Sequence, residues 1–198
     1  MKNKILINFC GDSFCSYTGE LSWCNLVASF LNAEIIGSGR DGAAHEHAIK
    51  TFNEKTDITI FCWTEPNRLY HKKYSFNFGS VQRHLSQEKA NSKKEFLAAN
   101  EYYQYLHNSN YAKERQIRDL YWFDHCVLEK SKKRFLHLFC YDNIYTFKNG
   151  INTSLILKKN FKTYLRESKT KQTIYNHLTI EDNKKLAKLV LHFLKNSC

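Results

Sequence analysis

The sequence predicts an α/β fold with a mostly parallel central sheet and crossover helices. Three observations predict it. Short apolar runs recur at Ile5–Cys10, Glu34–Ile36, Asp57–Cys62 and Phe135–Tyr141, each of strand length. Segments with apolar residues at three-to-four spacing, the helical period, lie between them. Finally, 198 residues with 42% hydrophobic content, one proline and no repeat fit one domain with a real core, residues 1–198. Alternation of strand and helix at this spacing is the mark of parallel strands joined by crossovers.

The elements follow in order. Ile5–Cys10 is the first strand and stops at Gly11-Asp12-Ser13. Ser22–Leu31 reads as a helix, with Trp23, Leu26, Val27, Phe30 and Leu31 on one face. Glu34–Ile36 is a short strand ending at Gly37-Ser38-Gly39, and Ala43–Phe52 is a second helix. Asp57–Cys62 is a third strand. The stretch from Tyr70 to Asn91 has weak periodicity; its aromatics either line a cleft or cover the sheet. Lys93–His107 and Tyr111–Lys130 read as long helices joined at Asn108-Ser109-Asn110, and Phe135–Tyr141 is a fourth strand. Asn152–Leu165 carries no clear signal. Glu181–Leu194 is an amphipathic helix with an acidic start that suits the helix dipole.

Composition narrows the class. The chain carries 30 basic and 19 acidic residues. Residues 130–198 hold 15 of the basic residues and 4 of the acidic ones, which accounts for the whole net charge of +11. Such a patch suits an anionic surface, or it is a solvated lysine face. No helix-turn-helix, zinc-finger or RNA-recognition signature accompanies it, so nucleic acid is not the expected partner. No apolar stretch is long enough to span a membrane. Lys2 and Lys4 precede a short apolar run, but Asn8 interrupts it and Gly11-Asp12 ends it, too early for a secretion signal. The 7 cysteines are irregularly spaced and include no Cys-x-x-Cys pair, which suits a reduced, cytoplasmic protein without disulfides. His45-Glu46-His47 falls in a predicted helix, where its two imidazoles do not share a face, so no metal site is expected.

Four segments stand at strand ends or just before helices: Gly11-Asp12-Ser13, Gly39-Arg40-Asp41-Gly42-Ala43, Trp63-Thr64-Glu65-Pro66-Asn67-Arg68, and His177-Leu178-Thr179. In a doubly wound sheet such ends converge on one crevice. A serine and a histidine far apart in sequence then meet, and a glycine-rich loop opening a helix offers N–H groups to an oxyanion. This is the layout of an acyl-transfer site.

These residues resemble the SGNH/GDSL hydrolase family over nearly the whole chain, most closely its short intracellular or phage-encoded members. The strand ending in Gly-Asp-Ser looks like the family's first block. Gly42 looks like the glycine of the second, and His177, just before the last helix, like the histidine of the last. The resemblance implies a flavodoxin-like three-layer α/β/α sandwich and a serine esterase without metal or organic cofactor. Its substrate is an acetylated sugar, a lipid ester or a small acyl ester. It implies Ser13 as nucleophile, His177 as base, and Ser13 and Gly42 as oxyanion donors. Two positions depart from the family. Where an asparagine usually helps to bind the oxyanion, Thr64 stands nearest, with Asn67 as a slipped alternative. Where an acid stands three places before the histidine, this chain has Ile174. Asp142 is the first acid to test in that role, then Glu181 and Asp182. Trp63 and Arg68 are expected to bind substrate, with core packing the alternative for Trp63 and bracing of its loop the alternative for Arg68. The rival expectation is an inactive binding or structural protein on the same fold.

Overall fold

A computed structural model describes residues 4–16, 19–86, 93–162 and 174–196. Five parallel strands form its sheet: β1 (Ile5–Gly11), β2 (Ala33–Gly37), β3 (Ile58–Trp63), β4 (Arg134–Phe139) and β5 (Ile151–Ile156). Their order is β2-β1-β3-β4-β5, the flavodoxin-like order of a three-layer α/β/α fold. The fifth strand came from the stretch without a clear signal, because Ile151–Ile156 is only half buried at the sheet edge. The remainder of that stretch, from 163 on, lies outside the described residues.

Side-chain alternation along the strands sorts the core into two layers. Ile7 and Phe9 of β1, Ile58, Ile60 and Cys62 of β3, and Leu136 and Leu138 of β4 share one face. They pack on Trp23, Cys24 and Val27 of α1 (Trp23–Phe30) and on Leu186, Val190 and Leu194 of α7 (Ile180–Lys195). Cys10, Phe61, Trp63, Phe135 and Phe139 share the other face. They pack on Ala48 of α2 (His45–Lys50) and on Leu120 and Phe123 of α5 (Ser109–Cys126). Ser22 caps α1, accepting from the Asn25 N–H, and Thr179 caps α7, accepting from the Asp182 N–H.

The weakly periodic stretch holds α3 (Phe78–Ser86), which pairs with α4 (Lys93–Glu101) over a small core of Phe76, Val81, Phe96 and Ala99. α4 continues into a wider π turn over Tyr102–Leu106, so the helical stretch runs to within one residue of the predicted end at His107. A short helix, α6 (Leu157–Asn160), follows β5. Two two-residue strands, β6 (Ile174–Tyr175) and β7 (Leu178–Thr179), form a hairpin directly before α7. No described helix is long and apolar enough to cross a membrane. Lys184, Lys185, Lys188 and Lys195 are all exposed on α7.

Candidate active site

The chain turns sharply where β1 ends. A Cβ at Gly11 would collide with the carbonyl oxygen of Cys62 on β3, so glycine is needed there. Asp12 then caps a 3-10 turn over Ser13–Cys15, accepting from the Phe14 N–H at 3.0 Å. Asp12 is fully buried and Ser13 is left at the surface of the turn.

The hairpin before α7 brings in the histidine. Asn176 and His177 are its two loop residues, with φ of 52° and 63°. This is the left-handed pair of a two-residue type I′ turn, a conformation that Asn and His enter more readily than most residues. Ser16 Oγ donates to Asn176 Oδ1 at 3.1 Å, tying the turn to the segment after Ser13. From α7, Asn183 donates to the Leu178 and Thr179 carbonyls and accepts the Trp23 N–H at 2.8 Å. Trp23 Nε1 in turn donates to the Phe14 carbonyl at 2.7 Å. These bonds join two ends of the chain, and Ser13 Oγ lies 2.7 Å from His177 Nε2, across 164 residues of sequence. With the ring proton on Nδ1, the Ser13 hydroxyl donates to Nε2. The Phe14 ring, 5.2 Å away, backs the imidazole.

Asp142 does not meet this histidine. Its carboxylate is 67% exposed and pairs with Lys159 at 2.8 Å. Asp142 lies past the end of β4 and turns to solvent, so the expected orienting role is corrected. Nor do the next acids serve. Asp182 accepts from the Lys162 N–H and the Thr179 hydroxyl, and Glu181 is exposed on α7. Among the described residues, the type I′ turn and Phe14 hold the imidazole, and no carboxylate does.

The pair opens on a cavity of about 500 Å³, whose wall includes Gly42, Arg68, Ser75, Asn77, Arg83, Tyr141 and Lys158. Gly42 has φ +67°, and a Cβ there would stand 2.7 Å from Ser75 Cβ. The amide N–H groups of Ser13 and Gly42 have no acceptor among the described residues.

Three further expectations are corrected. Thr64 is buried and donates its one hydroxyl proton to Asp12 Oδ2 at 3.0 Å, so none remains for an oxyanion. Asn67, the alternative, faces a neighbouring pocket, where its Oδ1 lies 3.2 Å from His107 Nε2. Trp63 does not reach the site. Strand alternation sends it to the opposite face of the sheet, fully buried, where its ring stacks on Phe61 at 5.0 Å.

Arg68 does reach the cavity, but as a brace. It is 4% exposed. Nη1 contacts Asp12 Oδ2 and donates to the Ala43 carbonyl, each at 3.1 Å. Nε donates to Glu65 at 3.1 Å and Nη2 to Tyr141 Oη at 2.8 Å. Burial disfavours its charge, but Asp12, Tyr141 and Glu65 together outweigh that and raise its pKa. One guanidinium thus grips the residue before Ser13 and the residue after Gly42.

Tyr141 is one of several cavity residues that the sequence reading passed over, with Ser75, Asn77, Arg83 and Lys158. Tyr141 stands two residues past the end of β4, at the same strand end that drew attention to Asp142. The strand-end rule marks both residues, but only the structure shows which side chain turns inward.

His45, Glu46 and Asp119 form the one cluster of metal-ligating groups among the described residues. Asp119 lies 2.9 Å from His45 Nε2 and Glu46 lies 3.4 Å from Nδ1. One ligand atom from each of the three falls within 4.8 Å of the others.

No protein-family model, curated protein or solved structure matches the chain.

Proposed function

We propose that this protein is a serine acyl hydrolase of SGNH type, acting through a Ser13–His177 dyad on a carboxylic ester. The observation that carries the reading is the 2.7 Å contact between Ser13 Oγ and His177 Nε2 at the mouth of a cavity. Ser13 attacks the ester carbonyl and its proton passes to Nε2. The tetrahedral oxyanion is held by the N–H groups of Ser13 and Gly42. His177 returns the proton to the leaving alcohol, then activates a water that frees the acyl group and restores Ser13. The wall mixes polar groups from Ser75, Asn77, Arg83 and Lys158 with the rings of Phe14 and Tyr141, which suits an acetylated sugar, a lipid ester or a small acyl ester. The free thiols support a reducing, cytoplasmic setting.

A second reading, a binding protein that keeps the fold without the chemistry, draws on two observations. No described acid meets His177, and Thr64 spends its proton on Asp12. A fluorophosphonate probe separates the two. The hydrolase is labelled at Ser13, located by mass spectrometry, and loses labelling in Ser13→Ala and His177→Ala. A folded protein that stays unlabelled is the binding protein.

A further inference from the structure

We infer that the Tyr141 hydroxyl is the third oxyanion donor, in the role that Thr64 and Asn67 leave unfilled. The inference rests on the hydrolase reading and adds a catalytic residue to it.

Four observations carry it. First, Tyr141 is on the wall of the cavity that Ser13, Gly42 and His177 line. Second, its hydroxyl has a proton to give. Tyr141 Oη accepts from Arg68 Nη2 at 2.8 Å, and its own O–H has no acceptor among the described residues. Third, its position is fixed by the group that fixes the two backbone donors. Arg68 holds Asp12 beside Ser13, the Ala43 carbonyl beside Gly42, and Tyr141. Three donors on one rigid fork suit a site that must not reorganise as charge develops. Fourth, the surroundings strengthen the O–H as a donor. Accepting from a guanidinium polarises the phenol, and Lys158 Nζ sits 4.8 Å above its ring. Burial meanwhile pushes the Tyr141 pKa up, so the proton stays on the oxygen.

No proton leaves Tyr141 in this role. The O–H donates weakly to the ester carbonyl and strongly to the alkoxide of the tetrahedral intermediate. The bond is thus worth more in the transition state than in the ground state, and its loss lowers kcat rather than raising KM.

The test uses the full chain and two readouts: the rate of fluorophosphonate labelling at Ser13, and hydrolysis of p-nitrophenyl acetate. Tyr141→Phe keeps the ring and removes the donor. Labelling and kcat should each fall by about 10²-fold, with KM within about twofold. Native labelling in Tyr141→Phe overturns the inference and leaves the hydrolase reading intact. Absence of labelling in the parent protein overturns both. Should Tyr141→Phe fail to fold, fluorotyrosines at 141 keep the shape and vary only the acidity. Rates that rise with phenol acidity support the donor role, and rates that ignore it overturn it.

Discussion

Two aspartates are completely buried in this protein, and they are satisfied in opposite ways. Asp12 meets a cation, Arg68, together with the Thr64 hydroxyl and the Phe14 N–H. Asp124, in α5, meets neutral donors: the Lys148 and Asn149 N–H groups, the Asn149 side-chain amide and the Tyr145 hydroxyl. Asp124 pins the loop between β4 and β5, where dipoles from a few adjacent residues suffice. Asp12 sits under the cavity, and its cation continues outward to Glu65, Ala43 and Tyr141. A neutral cluster closes on itself. A cation with five N–H donors passes order on to other groups, and here those groups line the site.

The largest expected effect breaks the first cluster. Arg68→Ala leaves Asp12 buried without its counter-charge and should cost about 3–5 kcal/mol in urea unfolding. Asp124→Asn removes no cation and should cost less, about 1–3 kcal/mol, through mispaired donors. Equal losses from the two would erase the distinction.

The neutral cluster has its own weakness, which is acid. His137, on β4, is buried between the Phe61 ring at 5.2 Å and the Phe147 ring at 3.6 Å. Its Nδ1 accepts from Trp63 Nε1 at 3.2 Å, and its Nε2 donates to the Asn149 carbonyl at 2.9 Å. A second ring proton would face the Trp63 N–H, and burial lowers the His137 pKa from 6.5 to about 4. The unfolded chain therefore binds more protons than the native one between these values. Stability is full above pH 6.5 and falls as the pH drops to 4, by about 3 kcal/mol from this group. His47, lowered to about 4 mainly by burial, adds to the loss with the same sign. Urea midpoints measured from pH 7 to pH 4 check this, and His137→Gln should flatten the slope.

The smallest effect sharpens the comparison from outside both clusters. Asp142→Ala removes an exposed carboxylate that, among the described residues, pairs with Lys159. It should leave the Ser13 labelling rate unchanged within about twofold, as for other exposed pairs. A large drop would restore Asp142 as the partner of His177.

Much of the frame is legible in the sequence because it is local. Apolar runs such as Asp57–Cys62 announce strands, and Leu186, Leu189, Val190 and Phe193 at three-to-four spacing announce α7, although the structure buries Leu186, Val190 and Leu194 more fully. Gly11 and Gly42 mark the turns because backbone geometry there admits no side chain. Ser13, His177 and Gly42 are legible as candidates because strand ends converge in a parallel sheet. Which neighbour of each strand end turns inward is not local. Trp63 and Thr64 are adjacent, yet one enters the aromatic core and the other binds Asp12. Tyr141 and Asp142 are adjacent, yet one lines the cavity and the other faces solvent. Those choices depend on groups far away in sequence, chiefly Arg68. The sequence by itself determined the alternating strands and helices and the tight turns, since short-range periodicity and backbone sterics encode them. The layers and the candidate dyad are read through the resemblance of its motifs to a family. Only the tertiary structure decided the partners, because a buried charge or hydroxyl takes whichever group packing brings within about 3 Å.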